Sequence, residues 1–333
     1  MKIAFFWTWE FSKNILNWIL KYNNIKISLI VSQPDKPVWR KKELIPTPVK
    51  TLALENNIDV LQPKKLTPPP TKDGTRTLPL SGEEQKLFYN KLYSLDLDFI
   101  VVVAYWKIVP VEVLNAPKYG CINIHWSILP KYRWASPIQE SIKNWDTETW
   151  LTIMYMSEWM DEWDIIDTQI VNIDNIDKTV DIFKKFEKIW PNLLINTLNS
   201  IVDNKIKWQK QNDLEATYCS KISKEDWKIN FKKESWDSIY NKFRAYYPWP
   251  WIYSYYNWKK FNIEDCEIYK SEINVELNDF EIWNVIKLNK KNIWIKCLDN
   301  QILILKQIKL EWKKSMDILS FVNGNKDFLE YRF

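Results

Sequence analysis

Up to about Ser200, short apolar runs alternate with segments whose apolar residues recur every three or four positions. Lys2–Phe6 predicts a buried strand, and Phe11, Ile15, Leu16, Ile19 and Leu20 then fall on one face of a helix. Lys26–Val31 predicts a second strand, followed by helices over 49–56 and 83–95. The run 98–104 is apolar on both faces, as a central strand would be. Strands are expected at 121–124, 150–156 and 164–173, with a helix starting near Pro137. A long helix is expected over 178–200, with Pro191 inside it. The β-α-β alternation predicts an α/β fold, a doubly wound, mostly parallel, Rossmann-like sheet.

Beyond residue 202 the pattern changes. Residues 203–216 are polar and linker-like, and 234–243 predicts one short helix. Ile252–Tyr256 and the runs 281–288, 292–297 and 301–310 are short and β-rich, separated by charged turns. That is the pattern of a small antiparallel barrel, OB-like in size. The expected organisation is a catalytic domain over 1–202, a linker over 203–216 and a barrel over 217–333. The proline-rich segment 67–82 is expected to be a surface insertion.

Chemistry concentrates in Cys121-Ile-Asn-Ile-His-Trp-Ser-Ile-Leu-Pro-Lys-Tyr-Arg-Trp-Ala-Ser-Pro-Ile138. Asn123 and His125 are two apart on a strand, so their side chains face the same side. His125 is the only histidine in 333 residues, and imidazole exchanges protons near neutral pH. The competing reading is a satisfied histidine at a strand end. The acidic segment 157–164 supplies Asp161 and Asp164, which would either orient the histidine or sit solvated in a loop. The segment 33–48 carries Lys36, Arg40, Lys41 and Lys42, suited to phosphate contacts or to plain solvation. Residues 105–110 leave the carboxyl end of a central strand, where open α/β sheets bind ligands.

The net charge of +5 is mild, compatible with a nucleic-acid partner without arguing for one. Four cysteines, none in a C-x-x-C pair, fit a reducing cytosol and argue against a zinc site. No apolar run reaches the roughly 20 residues that span a bilayer. The N-terminal run is too short for a signal peptide, so a soluble cytoplasmic protein is expected. Glycine normally makes up about 7% of a chain, yet this one has 4 glycines and 21 tryptophans. Many tryptophans stand at turns where glycine is comfortable, as at Trp7, Trp9, Trp134, Trp163 and Trp251. We expect that UGA codons meaning glycine have been read here as tryptophan; the high Lys, Asn and Ile content suits an AT-rich genome.

Laid out this way, the chain resembles the methionyl-tRNA formyltransferase family of 10-formyltetrahydrofolate-dependent enzymes along nearly its whole length. The resemblance rests on Phe6-Trp-Thr-Trp-Glu-Phe11, Gln33-Pro-Asp-Lys-Pro37, Thr47-Pro-Val-Lys50 and Val102-Val-Ala-Tyr-Trp106. Its core is the Asn-x-His-x-Ser-x-Leu-Pro pattern from Asn123 to Pro130, with Asp161-Glu-Trp-Asp164 downstream. Arg244-Ala-Tyr-Tyr-Pro-Trp-Pro-Trp251 extends it into the second half. In that lineup Trp7, Trp106, Trp126, Trp134, Trp159, Trp163 and Trp251 occupy glycine places, whereas Trp249 sits where the family has tryptophan.

The resemblance implies formyl transfer from 10-formyltetrahydrofolate to the α-amine of methionyl initiator tRNA, by a monomer that needs no metal. It implies Asn123, His125 and Asp161 as catalytic residues, with the division of protons between His125 and Asp161 left open. It implies folate contacts from Val103, Ala104, Tyr105, Ser127, Leu129, Pro130 and Asp164. Lys36, Arg40, Lys41 and Lys42 would contact tRNA, although the family's arginine-glycine-lysine-lysine is Arg40-Lys-Lys-Glu43 here and Trp9 replaces a common proline. Alternatives are a transferase acting on a sugar nucleotide or glycinamide ribonucleotide, a 10-formyltetrahydrofolate hydrolase, or a catalytically dead RNA-binding relative. The basic loop and the second domain weigh against the first two, and the intact Asn123, His125 and Asp161 against the last.

Overall fold

The computed structural model describes residues 1–7, 11–38, 43–66, 83–105, 107–157, 161–269, 281, 283–287, 292–297 and 301–333. It divides into two compact units that interleave in sequence. The first comprises 1–134, 150–171 and 185–218; the second comprises 135–149, 172–184 and 219–333.

The first unit begins with β1 (Lys2–Phe6), α1 (Phe11–Ile19) and β2 (Lys26–Val31). A small hairpin, β3 (Lys36–Val38) and β4 (Glu43–Ile45), then leads to α2 (Pro48–Glu55) and β5 (Val60–Leu61). Helix α2 starts where Thr47 accepts the Lys50 N–H at 3.4 Å and Pro48 supplies a preset φ in the first turn. Next come α3 (Glu83–Ser94), β6 (Phe99–Val102), α4 (Val111–Leu114), β7 (Cys121–His125) and β8 (Arg133–Trp134). After α5 (Pro137–Lys143), which falls in the second unit, come β9 (Glu148–Tyr155), β10 (Ile165–Asn172), α6 (Thr179–Val202) and β11 (Tyr218–Cys219).

Seven strands form one sheet in the order β10-β9-β7-β6-β1-β2-β5. β1 lies parallel between β2 and β6, so that Phe6 faces Val31 on one side and Val102 on the other. β6 and β7 are also parallel, whereas β9 runs antiparallel to β7. Ala4, Phe6, Leu29, Val31, Ile100 and Val102 are buried in one cluster, which makes the central strands the core. The doubly wound, mostly parallel sheet expected from the sequence is present.

The second unit is built on α7 (Trp236–Ala245), β12 (Ile252–Tyr256), β13 (Lys259–Ile268), β14 (Val285–Ile286), β15 (Ile293–Lys296) and β16 (Ile302–Leu310). β17 (Met316–Asp317) and α8 (Ile318–Gly324) follow. The strands form a curled antiparallel half-barrel, in the order β12-β13-β16-β15-β14 with β17 beside β16. Arg244 of α7 is fully buried and donates to the carbonyls of Asp177 and Asp174 at 2.8 and 2.7 Å and to Asn241 Oδ1 at 2.9 Å. Each nitrogen of its guanidinium therefore donates a hydrogen bond where the cation is buried.

Several elements differ from expectation. The central strand stops at Val102, because Ala104 adopts φ +46° and turns the chain out of the sheet. The segment 33–48, expected as a loop, contains the β3–β4 hairpin, in which Pro37 is tolerated because the ribbon has only two strands. Among the described residues of 281–288 the strand is Val285–Ile286, with Trp283 at φ +73° before it. β13 was not foreseen: its Lys, Glu and Asp residues hide an alternation that buries Phe261, Ile263 and Cys266. Helix α8 was not foreseen either; Asp317 caps it by accepting the Ser320 N–H at 2.9 Å. Residues 203–216 carry a bridge between Ile165 and Gln209 and a short 3₁₀ turn at Asp213–Glu215. The insertion 67–82 lies outside the described residues.

Among the described residues, fourteen non-glycine positions have positive φ, and six of them are tryptophan: Trp134, Trp145, Trp251, Trp258, Trp283 and Trp312. Asparagine and aspartate enter this region readily, but a bulky side chain there is strained by about 1–2 kcal/mol. Trp258 and Trp312 are 97% and 94% exposed, so no burial offsets that strain. Replacing either by glycine should raise the unfolding free energy by about 1 kcal/mol in urea titrations. A loss of stability on either substitution would contradict this account.

Candidate active site

β7 ends the parallel part of the sheet, and its pleat places Asn123 and His125 on one side. Asn123 is opposite Val102 in β6 and Met154 in β9, while His125 is opposite Thr152. The chain then turns at Ser127, whose hydroxyl donates to the Lys131 carbonyl at 2.8 Å. Thr152 donates to the Ser127 carbonyl at 2.7 Å, tying the turn to β9. The Leu129–Pro130 bond is cis. β8 pairs with β11, and the Tyr132 and Arg133 N–H groups are held by the Thr217 hydroxyl and carbonyl, each at 2.9 Å.

Asp161 closes the site. Its Oδ2 accepts the Trp134 N–H at 2.9 Å and lies 3.7 Å from His125 Nδ1, and its Oδ1 accepts from Asn123 Nδ2 at 3.3 Å. His125 is buried, with Nε2 at 2.9 Å from the Tyr132 carbonyl oxygen. A carbonyl can only accept, so Nε2 carries a proton and Nδ1, beside Asp161, is the nitrogen left for proton exchange. Asp161 itself has φ +61°, a conformation aspartate tolerates.

The remaining expected residues divide. Val103 and Tyr105 follow β6 beside Asn123, yet both side chains are buried, Tyr105 packing edge-on against Phe6. The Tyr105 hydroxyl has no hydrogen-bond partner among the described residues, and burial pushes its pKa up. Ser127 and Leu129 are also buried, Leu129 against Met154 and Ile165. Ala104, Pro130 and Asp164 are half-buried. Of the basic set, Arg40, Lys41 and Lys42 lie outside the described residues; for Lys36 only the main chain, in β3, is described.

Two features were not singled out from the sequence. Arg133, 1% exposed, donates from Nε and Nη2 to Gln211 Oε1 at 3.2 and 2.9 Å and from Nη2 to Asp213 at 2.6 Å. Gln211 Nε2 in turn donates to the main-chain carbonyls of Asp161 and Trp163, at 2.9 and 2.7 Å. The second feature is a cluster around Lys50. Lys50 Nζ sits 2.5 Å from Asp35 and 2.7 Å from Gln62 Oε1, and Gln62 Nε2 donates to Asp35 and to the Gln33 carbonyl, both at 2.7 Å. Among the described residues no group of three or more His, Cys, Asp or Glu could hold a metal ion, and no helix is long and apolar enough to cross a membrane.

A half-buried asparagine and a buried histidine thus share one carboxylate at the end of a parallel strand, and the chain belongs to the formyl transferase family. That family's model matches residues 1–198, and its C-terminal domain model matches 221–326. Curated relatives are methionyl-tRNA formyltransferases. The one from Caldicellulosiruptor saccharolyticus is 38% identical over 98% of this chain and 97% of its own length. The one from Mesoplasma florum is 32% identical over 98% and 96%. Among solved structures, the N-formyltransferase from Helicobacter canadensis with folinic acid and dTDP-3-aminofucose has a TM-score of 0.59 at 20% identity, over 92% of this chain and 98% of its own. HypX from Aquifex aeolicus with tetrahydrofolic acid has a TM-score of 0.59 at 14% identity, over 99% of this chain and 48% of its own. These two likenesses bear on the fold.

Burial works to raise the Asp35 carboxyl, but hydrogen bonds from Lys50 and Gln62 and the Lys50 charge outweigh it and hold the group below its ordinary value. A depressed carboxylate contributes stability that is present above the unfolded pKa of about 3.9 and lost as pH falls through the lower folded value. The stability difference between the parent and Asp35→Asn should therefore shrink as pH is taken below about 4. A difference that stays constant through acid unfolding titrations would contradict the assignment.

Proposed function

We propose that the protein transfers the formyl group of 10-formyltetrahydrofolate to the α-amine of methionyl initiator tRNA, as a cytoplasmic monomer with the catalytic domain at 1–202 and a tRNA-binding barrel from 217. The amine nitrogen attacks the formyl carbon, a tetrahedral intermediate forms, and the bond to the folate nitrogen breaks to release tetrahydrofolate. One hydrogen of the Asn123 amide points at Asp161, and the other donates to the oxyanion of the intermediate. Such a preorganised donor is worth roughly 10²–10³ in rate. His125 takes the amine proton at Nδ1, since Nε2 is bound to the Tyr132 carbonyl. Asp161, 3.7 Å away, stabilises the imidazolium that results, then takes its Nδ1 proton and relays it to the leaving folate nitrogen, which returns His125 to its neutral form.

The residues at the β6 end suit a flat heterocycle. Val103 and Tyr105 turn their side chains into the core, which leaves main-chain groups to meet pterin, with Ala104, Pro130 and Asp164 beside them. Lys36, Arg40, Lys41 and Lys42 meet acceptor-stem phosphates, so binding weakens as salt rises. The convergence of Asn123, His125 and Asp161, in a chain alike over almost its full length to curated methionyl-tRNA formyltransferases, is the observation that supports this reading most.

The test is formylation of charged initiator tRNA. The parent should yield formyl-methionyl-tRNA, and Asn123→Ala and His125→Ala should each lose roughly 10²–10³ in kcat. Formate released at the same rate with and without tRNA would favour a hydrolase instead and overturn the reading.

A further inference from the structure

Arg133 and Gln211 are buried polar groups that the chemistry above does not use. Arg133 is 1% exposed and Gln211 6% exposed, and they are bonded to each other, Arg133 also to Asp213 and Gln211 also to the loop at 161–163. The Gln211 carbonyl oxygen accepts from Arg133 Nε and Nη2, and its NH₂ group donates to the carbonyls of Asp161 and Trp163. Arginine stays charged throughout the accessible pH range, so it polarises the amide and strengthens the two bonds beyond it. The same short strand, β8, therefore reaches Asp161 twice. The Trp134 N–H holds the carboxylate directly, and Arg133 holds the main chain through Gln211.

We propose that Gln211, backed by Arg133, is a positioning residue for formyl transfer: it locks residues 161–163 so that the Asp161 carboxylate faces Asn123 and His125. This rests on the function proposed above. Without the lock, the aspartate's left-handed main chain is free to relax, and misplacement of a catalytic group by about 1 Å can cost about 10²-fold.

The test compares Gln211→Ala and Gln211→Glu with the parent in formylation of methionyl-tRNA. The glutamate variant has the same shape and still meets Arg133, but as a carboxylate it cannot donate to the two carbonyls. Both variants should lose about 10–100-fold in kcat while KM for folate and for charged tRNA stays within about twofold. In an Asp161→Ala background, followed in single turnovers, Gln211→Glu should cost nothing further, because its effect passes through Asp161. Full kcat in either variant of an active parent, or an equal loss with Asp161 absent, would overturn the lock alone. A parent that makes no formyl-methionyl-tRNA would overturn the functional reading and the lock with it. Should the alanine variant not fold, the glutamate variant decides.

A separate observation carries a second inference. Among the described residues, six of fourteen positive-φ residues that are not glycine are tryptophan, and Trp283 also leaves a buried indole N–H without a partner there. Trp7, on the turn after β1, is fully buried with the same defect. We infer that the natural chain carries glycine at Trp134, Trp145, Trp251, Trp258, Trp283 and Trp312, through UGA codons. Peptide masses of the protein isolated from its native source should show glycine at all six positions; tryptophan there would overturn the inference.

Discussion

The contact on which the site depends is the one between the Asp161 carboxylate and the Trp134 N–H. It joins a loop arriving from β9 to a strand two residues long that the chain forms only after leaving β7. Neither piece has a large apolar face of its own, so polar bonds must fix their meeting point. The Thr217 bonds register β8, Arg133 and Gln211 anchor the far side of the loop, and the carboxylate is left facing Asn123 and His125. Because the loop's main-chain groups are partly withdrawn from water, each bond lost would leave a polar atom unsatisfied at a cost of about 1–3 kcal/mol.

The parallel sheet supplies what the loop cannot: a rigid base. β7 is hydrogen-bonded on both sides, and Thr152 on β9 holds the turn that follows it. The main chain of Asn123 and His125 is therefore fixed by the sheet, whereas Asp161 is fixed by hydrogen bonds to its side chain and loop. That division suits group transfer, since an oxyanion donor gains most from rigidity.

The parts legible in the sequence are those governed by hydrophobic period. The two-residue spacing of Asn123 and His125, the apolar run through Val102 and the helix around Pro191 all survive as elements, because burial on a sheet or helix face dictates them. Gln211 was not legible, since an amide in a polar stretch looks like linker until its partners are known. Arg133 was hidden for a related reason: arginine is seldom buried, and its partners Gln211, Asp213, Glu162 and Tyr218 lie far from it in the sequence. β13 was masked by charged residues on its outer face, and glycine-type turns were masked by tryptophan.

The most direct test of this account is the single-turnover rate of Asp161→Asn with folate bound and charged tRNA in excess. The asparagine keeps the shape and can still accept the Trp134 N–H, but it removes the charge beside His125. The rate should fall at least about 10²-fold below the parent with folate affinity unchanged. A parental rate would contradict the role of Asp161 and, with it, the organisation of the site described here.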